Sequence, residues 1–340
     1  MEIVIATDAW KPQINGVVTT LGKMGEELTK VGHHIKYITP QSFRTFPCPS
    51  YPSIRLAILP KHKVSSILDE FKPDAIHIAT EGPIGQATRS YCLKNNLKFT
   101  TSYHTQFPEY LRLRAPIPLT WSYAFLRRFH GKAIRTMVPT PTQQQRLQQR
   151  NFNNVVIWSR GVDTSLFYPR AKDFLNAPRP ISMYMGRVAV EKNIETFLDL
   201  DLPGTKVIVG DGPDLGSLRQ KYSDVIFTGF KKGEELAQHL SSADVFVFSS
   251  LTDTFGLVML EAMACGLPIA AFPVTGPIDV VVQGKTGVMD NDLRKATLQA
   301  LELNPDDCIN YAKNKSWSSC AEIFFNHLEP NLPLTKITRI

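Results

Sequence analysis

Short apolar runs alternate along the chain with longer stretches in which apolar positions recur every three or four residues. Residues 3–6 (Ile-Val-Ile-Ala) read as a first strand and 17–31 as the helix that follows it. Further strands fall at 35–39, 74–78, 99–102, 135–138 and 155–157, with helices at 62–71, 84–96, 119–132 and 141–150. Short apolar strands separated by long helical segments specify parallel pairing, because each crossover must carry the chain back along the sheet, and the helices then cover both faces.

The rhythm stops at Arg160-Gly-Val-Asp163 and the polar, proline-containing run that ends at Pro180. A second series follows, with strands at 181–185, 206–209, 225–228, 245–248, 268–271 and 287–289 and helices near 191–200, 214–221, 233–241 and 256–264. The tail is helical at 291–302, 305–313 and 317–328. The expected organisation is therefore a first α/β domain over 1–160, a linker over 161–180, a second α/β domain over 181–315 and a closing helical segment over 316–340. Open sheets of this type bind ligands at their strands' carboxyl ends, so two such halves predict a ligand cleft between them.

Composition narrows the class. At 340 residues, 43% apolar and 20% charged, the chain is an ordinary globular protein with room for two cores. No run approaches the length of a bilayer span, and Glu2-Ile-Val-Ile-Ala6 is a strand rather than a leader, which predicts a cytoplasmic protein. Five cysteines without short paired spacing fit a reducing compartment and argue against a zinc knuckle or a disulfide scaffold.

The net charge of +7 gathers in the first half, around Arg112, Arg114, Arg127, Arg128, Lys132, Arg135, Arg146 and Arg150. Such a patch is either an ordinary solvated face or an attractor of phosphorylated ligands, anionic membrane or nucleic acid. No nucleic-acid module accompanies it, so nucleic acid is not an expected partner. Trp121, Tyr123, Phe125, Leu126 and Phe129 beside Arg127 and Arg128 read as an aromatic-basic amphipathic helix. That helix predicts peripheral contact with an anionic membrane surface, on the inner face of the cytoplasmic membrane.

The densest chemistry lies in Leu251-Thr-Asp-Thr-Phe-Gly-Leu-Val-Met-Leu-Glu261, after the strand at 245–248. Asp253 and Glu261 stand eight positions apart around Phe255-Gly256-Leu257, where a helix begins. Carboxylates accept pairs of sugar hydroxyls, and helix-start N–H groups donate to sugar or phosphate oxygens. The structural alternative makes Asp253 the helix cap and Glu261 a surface residue. Gly186-Arg187 and Glu191-Lys192-Asn193 put two cations five positions apart across a strand-to-helix loop, where they can converge on a diphosphate or remain simple surface charges. Val209-Gly-Asp-Gly-Pro213 reads as a plain small-residue turn or, alternatively, as one that lets a nucleotide base or ribose lie close to backbone. Asn15-Gly16, opening the first helix, is either a simple tight turn or a place where backbone approaches a ligand and helix-start N–H groups meet an anion.

In the first half, Thr80-Glu81-Gly-Pro83 and Ser102-Tyr-His104-Thr-Gln-Phe-Pro-Glu109 leave neighbouring strands, so Glu81 and His104 emerge at one sheet edge. His104 can approach a reacting hydroxyl or serve as a packing residue. No histidine cluster, His-Glu-x-x-His pattern, Walker loop or nucleophile elbow is present, and no metal or other cofactor is expected.

Taken in order, these segments resemble the retaining GT-B glycosyltransferases of glycosyltransferase family 4 (GT4). Within it they look most like bacterial GDP-mannose-dependent α-mannosyltransferases and sulfoquinovosyl-diacylglycerol synthases. The resemblance runs from Asp8-Ala-Trp-Lys-Pro-Gln-Ile-Asn-Gly16 to the tail at Trp317. It implies an α/β fold of GT-B type, two Rossmann-like domains facing across a cleft, with the last helix returning to the first domain. It also implies a nucleotide-sugar donor, a hexose transferred with retention to a hydroxyl of a lipid-linked acceptor, and no obligate protein partner.

By the same resemblance, Arg187 and Lys192 would hold the donor diphosphate with help from Gly16. Asp253 and the backbone of Phe255, Gly256 and Leu257 would receive the sugar, and Glu261 the ribose. His104 would approach the transferring carbon, and Asn15, Glu81 and Glu109 would lie on the acceptor side. The family usually carries a glutamate where Asp253 stands, and the shorter side chain marks a subfamily. A transferase with a soluble or polysaccharide acceptor, a non-hydrolysing epimerase of the same fold and a non-catalytic sugar-nucleotide binder are the alternatives.

Overall fold

The computed structural model describes residues 1–13, 15–48, 51–114 and 117–331. It forms two compact units, one made of Met1–Ser159 together with the chain from Trp317 onward, the other of Arg160–Ser316.

The first unit carries β1 (Glu2–Ala6), β2 (His34–Ile38), β3 (Thr45–Cys48), β4 (Tyr51–Ala57), β5 (Ala75–Ile78), β6 (Thr100–Ser102), β7 (Arg135–Val138) and β8 (Val155–Ile157). Six of these form one sheet in the order β2-β1-β5-β6-β7-β8, with every pairing parallel. Ile3, Val4, Ile5 and Ala6 of β1 are all buried, as a central strand covered by helices on both faces requires.

The second unit repeats the plan with β9 (Ile181–Met185), β10 (Thr205–Val209), β11 (Ile226–Gly229), β12 (Val245–Phe248), β13 (Ile269–Ala271) and β14 (Gly287–Met289). Their order, β11-β10-β9-β12-β13-β14, is also wholly parallel and is the doubly wound dinucleotide-binding order. In each unit the connections reverse direction beside the first strand, between β1 and β5 and between β9 and β12. Ligand sites of open α/β sheets sit outside the strand carboxyl ends at such points.

The final helix, Trp317–His327, belongs to the first unit's core. Trp158 Nε1 donates to the Cys320 carbonyl at 3.0 Å, and the Phe324 ring lies 4.9 Å from Trp158 and 4.8 Å from His77. Just beyond it, the Glu329 carboxylate pairs with Lys98 and Arg135, each at 3.0 Å.

Three features differ from the sequence expectation. The helix expected over 191–200 is a 3-10 turn (Val190–Lys192) and a short helix (Ile194–Leu198), broken where Asn193 adopts a left-handed φ of 52°. Strands β3 and β4 pair antiparallel in a separate two-stranded sheet, a segment whose prolines 47, 49 and 52 disguise it as loop. A helix at Phe107–Arg114 opens immediately after the β6 exit, with Pro108 in its first turn.

Candidate functional site

In the second unit the loops leaving β9 and β10 touch through backbone. Gly186 and Gly210 both sit at φ +151°, and a Cβ on Gly210 would lie 1.8 Å from the Gly186 carbonyl oxygen. A Cβ on Gly212 would lie 2.1 Å from the Val188 carbonyl oxygen. Val188 N–H donates to Asp211 O at 2.9 Å and Asp214 N–H to Val188 O at 3.2 Å, so the two loops form one surface of main chain. Side chains at 210 or 212 would force them apart.

The same β9 loop is tied to the β12 exit. Ser249 Oγ donates to Lys192 O at 2.9 Å and Asn193 Nδ2 to Ser249 O at 3.2 Å. Lys192 Nζ then reaches both carboxylate oxygens of Asp253, at 2.6 and 2.8 Å. Arg187 is half-buried, and burial lowers its pKa against the opposing pull of Glu191 and Asp214. Arg187, Lys192 and Asp253 thus gather on loops fixed to one another.

Helix Leu257–Ala264 starts just after Asp253. Gly256 stands at its N-cap with φ +81° and, as a glycine, offers no side-chain cap of its own. Any other residue there would meet Phe248 Cζ at 2.9 Å and Met259 Cε at 2.8 Å. Asp253 is engaged with Lys192 three positions before this helix start. Phe255 is buried, and Gly276, beyond β13, packs beside the Asp253 and Phe255 carbonyls.

Glu261 follows one turn into this helix, between buried Leu260 and Ala262. Among the described residues its carboxylate has no hydrogen-bond or ion-pair partner. Desolvation alone pushes its pKa up to about 7. It is not an ordinary surface carboxylate.

The first unit uses its polar groups differently. Asn15 caps helix Gly16–Lys30, its Oδ1 accepting from Val17 N at 3.1 Å and Val18 N at 3.0 Å. Two of the donors that the Gly16 turn offers an anion are thereby occupied. Asp8, which no sequence motif singles out, is buried after β1 and accepts from Ile84 N (2.9 Å), Gly85 N (3.3 Å) and Thr80 Oγ1 (2.8 Å). It thereby caps helix Pro83–Lys94 from across the sheet. Burial raises its pKa even against those bonds, and a Cβ on Gly82 would lie 2.5 Å from its carboxyl carbon.

Glu81 and His104 leave adjacent strands, β5 and β6. Glu81 lies 3.1 Å from Nε2 of fully buried His130, whose Nδ1 is 2.9 Å from Thr101 Oγ1. His130 was not singled out from sequence, since nothing in the last turn of its helix distinguishes it. His104 is half-buried and meets the Trp158 ring edge-on at 5.8 Å. Glu109 accepts from Tyr123 Oη at 2.7 Å and from Arg146 at 3.2 Å. Both first-unit glutamates are thus engaged by side chains of their own unit.

The aromatic-basic helix spans Leu119–His130, and its residues divide between two faces. Tyr123, Leu126 and Phe129 are core residues, correcting the view of all five apolar residues as one contact face. Trp121, 73% exposed, and Phe125, 47% exposed, share the outer face with exposed Arg128 and, one turn on, Lys132. Among the described residues no helix is long and apolar enough to cross a membrane, and no group of three or more His, Cys, Asp or Glu could hold a metal ion.

Residues 14–166 match the Glycosyltransferase Family 4 pattern and 179–303 that of Glycosyl transferases group 1. The chain is 30% identical over 316 residues to a GDP-mannose-dependent alpha-mannosyltransferase of Mycobacterium tuberculosis, covering 85% of this chain and 83% of that one. It is 26% identical over 370 residues to the alpha-monoglucosyldiacylglycerol synthase of Acholeplasma laidlawii, covering 94% and 92%. Its fold resembles that of the sucrose-phosphate synthase of Thermosynechococcus elongatus, with a TM-score of 0.74 at 20% identity over 96% of this chain and 97% of that one. Two Rossmann-like units of this topology define the GT-B architecture. The chain belongs to glycosyltransferase family 4 and is a hexosyltransferase that uses a nucleotide-sugar donor.

Proposed function

We propose that this enzyme moves a hexose, with retention of configuration, from GDP-mannose in preference to a UDP-sugar onto a hydroxyl of a lipid-linked acceptor at an anionic membrane surface. The observation that carries the donor half is the Lys192–Asp253 pair at 2.6 and 2.8 Å, which joins the β9 loop to the loop that opens helix Leu257–Ala264. A cation for the diphosphate and a carboxylate for the sugar hydroxyls are then held together across two joined loops, at the start of a helix. Arg187 supplies forked hydrogen bonds to the same diphosphate. Glu261 accepts from the ribose, which gives its partnerless carboxylate a hydrogen-bond donor.

Charge grows on the nucleoside diphosphate as the glycosidic bond breaks, and Arg187 and Lys192 stabilise it there. Asp253 and Glu261 serve as binding groups, so the two-carboxylate glycosidase scheme does not apply. Retention then follows from front-face displacement, with the leaving diphosphate receiving the acceptor proton. The first unit contributes His104 and the acceptor side, and the outward face of Leu119–His130 supports the membrane surface. The alpha-mannosyltransferase relative favours GDP-mannose, and the diacylglycerol-named relative favours a lipid acceptor.

The test offers GDP-mannose and UDP-glucose separately with mixed-lipid vesicles and follows the anomeric proton of the product. Transfer to lipid from GDP-mannose with an α linkage is expected. Absence of both transfer and slow donor hydrolysis overturns the donor assignment, and equal transfer to soluble sugars overturns the lipid acceptor.

A further inference from the structure

A cavity in the first unit has no part in the donor chemistry. It has a volume of about 210 Å³ and is lined by Trp10, Lys11, Gln41, Phe43, Thr45 and Arg55, among others. Residues 10–13 leave the carboxyl end of β1 and 40–45 that of the adjoining β2, so it lies at the ligand-binding edge of the sheet, one strand from the reversal point.

Its walls are fixed. The Trp10 ring rests 4.3 Å from that of Tyr37, and Gln41 Nε2 donates to Lys11 O at 3.1 Å, joining the two loops. Arg55 is held over the cavity from β4 by bonds to Thr45 Oγ1 and Thr45 O, both at 3.1 Å. Those bonds occupy Nε and Nη2, and both acceptors are neutral.

The chain from β2 to β4 that forms one side of it is basic. No Asp or Glu occurs between Glu27 and Asp69, a stretch that includes Lys36, Arg44, Arg55, Lys61 and Lys63. Among the described residues neither Lys11 nor Arg55 is paired with a carboxylate. Two cations without counter-ions beside two aromatic rings favour an anion joined to a body with an apolar C–H face.

We infer that this cavity binds a phosphate-bearing polyol, the phosphate against Lys11 and Arg55 and the carbon face of the polyol against Trp10 and Phe43. As a subsite for the acceptor headgroup it rests on the transferase function proposed above; as an anion site it does not. The headgroup of an anionic phospholipid and a free polyol phosphate present the same chemistry.

Titration of the full chain with sn-glycerol 1-phosphate, followed by Trp fluorescence and calorimetry, tests the free form. Flotation with phosphatidylglycerol vesicles, against pure phosphatidylcholine, tests the lipid form. Lys11→Gln and the double variant Lys11→Gln/Arg55→Gln are each expected to weaken binding of one or both probes by about tenfold or more. Lys11 makes no side-chain bond, so its single variant tests the site without loosening the β3–β4 sheet, and melting curves check folding of the double variant. Glycerol phosphate sensitivity alone assigns a free ligand, and vesicle sensitivity assigns the lipid. Wild-type affinity of the variants for both probes, or no binding of either probe, overturns the site. Nucleotide melting shifts measured in parallel report separately on the donor assignment, which these substitutions leave unchanged.

Discussion

The Lys192 ammonium lies between the two carboxylate oxygens of Asp253, at 2.6 and 2.8 Å, with both side chains about four-fifths buried. In the proposed donor site, an incoming diphosphate would compete with Asp253 for Lys192 and free the carboxylate to accept sugar hydroxyls. Lys192→Ala should lower kcat/KM by about 10²–10³, the usual cost of removing one donor aimed at developing charge. Asp253→Glu keeps the charge and shifts it by one methylene, so it should alter the ratio of kcat/KM between donor sugars more than the affinity for the free nucleotide diphosphate. Steady-state kinetics with two donors, and nucleotide binding by calorimetry, separate these effects. Full turnover by Lys192→Ala would remove it from the mechanism.

Glu261 predicts a pH dependence opposite in sign to that of a salt-bridged carboxylate. Its folded pKa is raised from 4.5 to about 7 by desolvation. Between those values the folded state holds the proton and the unfolded state does not, so this group's contribution to stability falls as pH rises through the window. Glu261→Gln, neutral throughout, should melt above the wild type at about pH 8, with the gap closing towards about pH 5. The variant should also bind nucleoside diphosphates more weakly, because a carboxylate accepts both ribose hydroxyls better than an amide does. A melting gap that widens towards acid would contradict the assignment.

Strands β1, β7, β8, β9, β12 and β14 lie where the apolar runs place them, because buried parallel strands have little tolerance for polar residues. The GT4 resemblance was likewise carried by short ordered segments that survive as the strand-exit turns. Other features depend on partners far apart in sequence. Asp8 meets Thr80 and Ile84 only after β1 and β5 pair, and His130 meets Thr101 and Glu81 only once its helix packs on the sheet. The β3–β4 sheet was hidden by its prolines, since local propensity there opposes the strand that tertiary structure selects. Even the Lys192–Asp253 bond spans 61 positions and left no periodic trace.

The Glu81–His130 contact separates scaffold from chemistry in the first unit. His130 is fully buried between Thr101 and Glu81. Glu81→Ala leaves one imidazole nitrogen without that partner and should cost about 1–3 kcal/mol in urea unfolding. If Glu81 also contacts acceptor, the folded variant shows a raised acceptor KM at unchanged donor KM. A stability loss without that KM change assigns Glu81 to the scaffold alone.

The outer face of helix Leu119–His130 provides the membrane prediction. Trp121 and Phe125 are one turn apart and exposed, with Arg128 and Lys132 continuing the same stripe, while Tyr123, Leu126 and Phe129 hold the helix down. Interfacial binding of such a helix combines aromatic insertion with attraction to anionic lipid, and salt screens only the second contribution. Trp121→Ser/Phe125→Ser should reduce flotation with phosphatidylglycerol vesicles by about tenfold or more, at an unchanged melting temperature because neither residue is in the core. Arg128→Gln/Lys132→Gln should lose its defect as sodium chloride rises, whereas the aromatic pair's defect should persist. If the aromatic variant floats as the wild type does, this face is an ordinary solvated surface. Lipid transfer by that variant at the wild-type rate would show that the acceptor is reached without it.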